Sequence, residues 1–164
     1  MKKIYLLFLF VPLLSCANET QLNTPEEFGN EVFRLMIEGN RDELLGLIIT
    51  KVQFDELIDS FDAPSDLKDS YKSILTNEIL EEVKENVTSG FNSYKEILTE
   101  NNTSKSTVEK ISDRTSIMKT IPFQMGTIEI EFRVATKNYL LSIESIKSLE
   151  GWRIMDDFHV SILE

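Results

Sequence analysis

The sequence predicts an α+β domain in which N-terminal helices pack on one face of a curved antiparallel C-terminal sheet. Three observations predict it. Apolar residues recur every three or four positions between Phe28 and Leu98, the spacing that lines one side of a helix. From Ile128 onward they alternate with polar residues, the spacing that lines one face of a strand. The helical stretch precedes the strands instead of alternating with them, which sorts helices and sheet into separate layers.

Each element has its own signal. Thr24-Pro25-Glu26-Glu27 is a helix start, with Thr as N-cap, Pro at the first helical position and Glu three residues after the cap. Phe28, Val32, Leu35 and Met36 follow on one face, and Gly39-Asn40 ends the run. Asn40 and Glu43 are placed to cap a second helix, whose Leu44, Leu45, Leu47, Ile48 and Ile49 are too apolar for anything but the core. Phe54, Leu57, Ile58 and Phe61 mark a third stripe, ended near Asp62-Ala63-Pro64. A long helical stretch is expected from Asp66 to about Thr99. Its apolar residues mostly step by four, so the stripe drifts about 40° per step around a straight helix. A kink or break at Thr88-Ser89-Gly90 would correct that drift.

The strands follow a polar connector at residues 101–106. A strand around residues 116–123 is expected, with Pro122 confining it to an edge or an end. Ile128, Ile130, Phe132 and Val134 alternate with Glu129, Glu131 and Arg133 as a half-buried strand. Thr136 to Asn138 offers a turn into Tyr139, Leu141 and Ile143, and Glu150-Gly151 turns the chain into a last strand, Trp152 to Ile162.

Ahead of this body, Met1-Lys2-Lys3 is followed by an apolar run from Ile4 to Leu14, broken only by Pro12. Eleven residues are too few to span hydrocarbon, which takes about 17–25, and match a secretory signal's apolar region. The run ends in Leu13-Leu14-Ser15-Cys16, with Leu at −3, a small residue at −1 and Cys at +1. This resembles the lipobox of bacterial lipoproteins, and Cys16 is the chain's only cysteine. The resemblance implies cleavage before Cys16, acylation of its thiol and a membrane anchor, since two or three acyl chains hold a protein durably. Residue 17 is Ala and not Asp, which by the sorting habit of enterobacterial lipoproteins favours the outer membrane. The organisation expected is a signal peptide over 1–15, a lipidated Cys and short tether over 16–23, and one globular domain over 24–164.

Composition narrows the function. The 164 residues carry a formal charge of −11, and removing residues 1–15 takes away Lys2 and Lys3 but no acid, leaving −13. Phosphate binding needs clustered Lys and Arg, so nucleic acid is excluded as a partner. One Cys and one His leave no thiolate or imidazole set for zinc, no Asp-x-Asp-x-Asp-Gly loop occurs for calcium, and no cofactor motif is present. The expected partners are the membrane, through lipid at Cys16, and an unidentified protein or small ligand. Acidic pairs such as Asp42-Glu43, Glu81-Glu82 and Asp156-Asp157 keep the chain soluble or present an acidic face to a basic partner.

Trp152, Ile154, Asp156, Phe158, Val160 and Ile162 share one phase, which puts the Asp156 carboxylate on the core face of the last strand, with Tyr139 in phase on its neighbour. The order of elements and the Gly151-Trp152-Arg153-Ile154-Met155-Asp156 opening of the last strand resemble the NTF2-like (cystatin-like cone) superfamily, although the helical portion here is longer. That resemblance implies a pocket in the sheet's concavity, with Asp156 as a desolvated general base and Tyr139 supplying a hydroxyl. The residues themselves allow another arrangement, a β-bulge at Asp156-Asp157 that turns Asp156 to solvent. His159 falls in the opposite phase, on the outer face. A non-enzymatic binding domain, a pocket enzyme and an accessory subunit of an envelope complex are the readings left standing.

Overall fold

The computed structural model describes residues 22–120 and 122–163; the expected signal peptide, Cys16 and most of the expected tether lie outside them. Five helices precede four strands: α1 Pro25–Glu38, α2 Arg41–Leu45, α3 Lys51–Asp59, α4 Ser65–Lys72, α5 Asn77–Glu100, then β1 Glu109–Thr120, β2 Phe123–Val134, β3 Lys137–Ser148 and β4 Gly151–Ile162. The strands form an antiparallel meander in the order β1-β2-β3-β4. Helices before a sheet is the predicted α+β class.

The cap predicted for α1 forms: Thr24 Oγ1 accepts from Glu27 N at 3.1 Å, and Glu27 Oε2 accepts from Thr24 N at 3.1 Å. Thr50 and Gln53 build the same reciprocal box at the start of α3. Asn40 does not cap α2; its amide donates to Glu38 Oε2 at 3.2 Å. That helix is also shorter than its apolar sequence implies. It stops at Leu45, and after a turn at residues 46–47 the chain pairs with β4 at Ile48, with Ile49 N donating to Ile154 O and Ile154 N to Leu47 O, both at 2.9 Å.

The long helical stretch breaks earlier than expected. It divides at residues 73–76, where Thr76 Oγ1 accepts from Ile79 N and starts α5 afresh, while residues 88–90 stay helical. Starting at Thr76 removes the drift, because the stripe of Val83, Val87, Phe91, Tyr94 and Leu98 rotates only about 60° over its whole length. Gly90 serves proximity instead of bending. A Cβ there would lie 2.5 Å from Phe158 Cδ1 and 2.8 Å from Phe158 O, so its absence lets α5 press onto β4.

Helices α1, α2 and α5 cover one face of the sheet, packing Phe28, Leu35, Met36, Phe91 and Tyr94 against Ile128, Ile130, Phe132, Leu141, Ile143, Trp152 and Phe158. The segment 47–49 carries the chain past the β4 edge. Beyond it α3, Tyr71 of α4 and Leu75 form a second core with Phe123, Met125, Ile146 and Met155, residues of the opposite strand phase. There Phe123 meets the rings of Phe54, Phe61 and Tyr71. Strand β1 extends beyond both layers, and every residue from Ile111 to Lys119 is exposed.

Two substitutions probe this packing. Gly90→Ala should destabilise the fold by about 1–3 kcal/mol in chemical denaturation, since overpacking against a backbone oxygen outweighs the roughly 1 kcal/mol that Ala gains in a helix. Tyr94 is buried with no partner for its hydroxyl among the described residues. Removing a buried, unpaired hydroxyl relieves a desolvation cost of about 1–3 kcal/mol, so Tyr94→Phe should hold or raise the denaturation midpoint.

Candidate functional site

The site centres on an irregularity of β4. Ile143 pairs with Phe158 and Ser145 with Ile154, so the single residue Glu144 on β3 faces three on β4: Met155, Asp156 and Asp157. A bulge with two extra residues preserves the phase of the strand on either side, and Ile154 and Phe158 both face the core. Within the bulge the phase does not hold, and Asp156 is exposed. Of the two arrangements the residues allow, the structure has the β-bulge at Asp156-Asp157 that turns Asp156 to solvent, and the core-face placement that strict alternation implies is corrected.

Tyr139 does face the core. Its ring stacks on Phe132 with centroids 5.7 Å apart, Tyr94 meets the same Phe132 at 6.1 Å, and its hydroxyl accepts from Asn101 Nδ2 at 3.3 Å. It pairs with Ile162, five residues along β3 from Glu144, which at about 3.4 Å per residue separates it from the bulge by roughly 17 Å. Asp156 and Tyr139 are not brought together.

What gathers at the bulge is a set of carboxylates with one imidazole. Asp157 Oδ2 and His159 Nδ1 lie 2.8 Å apart, two residues apart on the outer face of β4. Burial pushes the Glu144 carboxyl above its ordinary range, and the charges of Asp156 and Asp157 push it further, with His159 opposing. Ser142 sits directly across from His159 in the ladder, and no hydrogen bond joins its hydroxyl to the ring. A serine nucleophile needs that contact with its base, so this Ser, His and Asp do not form a relay in the structure. Among the described residues no group of three or more His, Cys, Asp or Glu is arranged to hold a metal ion. The arrangement is suited to attracting positive charge.

Glu144 was the residue least visible in the sequence, because its partners depend on a two-residue bulge. The Asp156-Asp157 pair marked the bulge; nothing marked the residue facing it. Sequence did place His159 on the outer face, and it is exposed there. Cys16 lies outside the described residues, but Leu22, near the end of the expected tether, is fixed. Leu22 is buried in the main core and its carbonyl accepts from Trp152 N at 2.9 Å.

The raised Glu144 carboxyl sets a pH dependence. A carboxyl that holds its proton more tightly when folded costs stability as pH rises from its unfolded value, 4.5, through its higher folded value. Glu144→Gln should therefore raise the midpoint of thermal unfolding at pH 7, and the gain should vanish below about pH 4. Melting curves of both proteins across that range check the sign. No protein-family model, curated protein or solved structure matches this chain, so its own residues carry the functional reading.

Proposed function

We propose that this chain is a bacterial envelope lipoprotein, held to a membrane by acylation of Cys16 and presenting a non-enzymatic binding domain. The observation that carries the reading is the position of Cys16. The chain's only cysteine stands directly after Leu13-Leu14-Ser15 at the end of an apolar run, where lipobox chemistry needs it. The start of the described fold supports it, because only five residues separate Cys16 from Leu22, which is already locked to β4. No helix among the described residues is long and apolar enough to cross a membrane, and a net charge of −13 after cleavage repels anionic headgroups. Lipid is then the attachment, and Ala17 favours the outer membrane.

Binding is favoured over catalysis by what surrounds the candidate residues. Aromatic rings occupy the space around Tyr139, and Asp156 is exposed at the bulge. Recognition falls on the surface, where Glu144, Asp156 and Asp157 offer an acidic face to a protein segment or small ligand bearing positive charge.

Labelling with an acyl precursor in a bacterial host tests the anchor. Wild-type protein should take up the lipid and partition with the membrane; Cys16→Ser should lose the label. Label that persists in Cys16→Ser sinks the assignment.

A further inference from the structure

The two edges of the sheet are treated differently. At β4 the segment 47–49 takes up the backbone groups of Ile154, and Leu22 O accepts from Trp152 N at 2.9 Å. At β1 no element among the described residues pairs with the outer edge, and β1 runs for 12 residues. Proteins guard such edges with charges, prolines or bulges. Here the guards are a register shift between Lys110 and Ser112 and the charges of Glu109, Lys110, Asp113, Arg114 and Lys119. The stretch Thr115-Ser116-Ile117-Met118 has no charge, and Ile117 and Met118 are 46% and 64% exposed.

The strand is also complementary to itself. In an antiparallel ladder alternate residues turn their N–H and C=O groups to opposite sides. Thr120 pairs with Phe123 across a two-residue connection, an arrangement that closes on a hydrogen-bonded pair, so the even-numbered residues bond to β2. The outward backbone groups then belong to Asp113, Thr115, Ile117 and Lys119. A two-fold axis through Ser116 sets Asp113 opposite Lys119 and Thr115 opposite Ile117, each twice. Axes one residue to either side lose the charge match, since a centre at Thr115 sets Asp113 opposite Ile117 and Lys119 opposite Ile111, and a centre at Ile117 sets Lys119 opposite Thr115. Lys110 holds one Asp113 oxygen at 3.1 Å; the other oxygen and Lys119 have no ion pair among the described residues.

We propose that β1 pairs edge to edge with β1 of a second copy of this chain, antiparallel and centred on Ser116, joining two four-stranded sheets into one of eight. The backbone supplies the attraction, the Asp113–Lys119 pairs select the register, and Ile117 is covered by Thr115 of the partner copy. Lipidation plays no part in this contact, so the proposal stands or falls apart from the anchor.

The test uses the full chain carrying Cys16→Ser, which leaves any introduced thiol alone. Ser116 faces itself across a non-hydrogen-bonded position, where Cα atoms lie about 4.5 Å apart, within the range a disulfide spans. Ser116→Cys should form an intermolecular disulfide under mild oxidation, whereas Ser112→Cys should not, its two copies being about 27 Å apart in this register. In sedimentation without introduced cysteine, Lys119→Glu should weaken the dimer roughly tenfold by setting two like charges opposite each other. Adding Asp113→Lys to Lys119→Glu should recover it. The proposal is overturned by a chain that stays monomeric to about millimolar concentration. It is equally overturned by a dimer indifferent to Lys119→Glu, or by one that crosslinks no better through Ser116→Cys than through Ser112→Cys.

Discussion

Two backbone hydrogen bonds at Ile154 organise much of the molecule. They hold residues 47–49 against the edge of β4, and because adjacent residues of an extended chain point to opposite faces, Ile48 enters one core while Ile49 enters the other. The same contact carries the chain from α2 on one side of the sheet to α3 on the other. It also covers part of the edge on which an open meander would otherwise be exposed, so the unpaired length of sheet is concentrated at β1. Without it the helices would have no fixed point at which to divide between the two faces.

The close approach of α5 to β4 depends on that placement. Gly90 lets the helix reach Phe158, and Phe158 is the first residue after the bulge to resume the register. The core facing α5 thus passes through the irregular part of β4 without a gap in its apolar lining, while the polar residues of the bulge are left outside. The packing and the acidic surface are two sides of one local geometry.

Periodicity recovered what depends on neighbours in sequence and missed what depends on contacts far along the chain. The box at Thr24 and the alternation from Ile128 to Val134 are local, and both are present. Leu44 to Ile49 looks helical because it is largely apolar, yet the helix ends at Leu45 and Ile48 bridges to β4, because Ile154, 106 residues later, offers unpaired backbone groups. The break near Thr76 was hidden by a stripe that continues in sequence while passing from one core to another: Leu75 belongs to the second, Val83 to the first. Asp156 followed the strand's parity on paper and left it in the structure, since parity holds only where the ladder is regular.

That last point says how this strand tolerates a change of length. Three residues of β4 stand opposite one of β3, so the excess is even. Loss of Asp156 and Asp157 together would leave Met155 opposite Glu144 and return the ladder to one-to-one pairing with Phe158 still inward. Loss of either alone would leave two residues opposite Glu144, the one-residue bulge that β1 itself carries between Lys110 and Ser112, with Phe158 still paired to Ile143. The facing of Phe158 is therefore set by its partner on β3 and not by counting along β4, and this point of the strand can lose one residue or two while the core on either side stays in register.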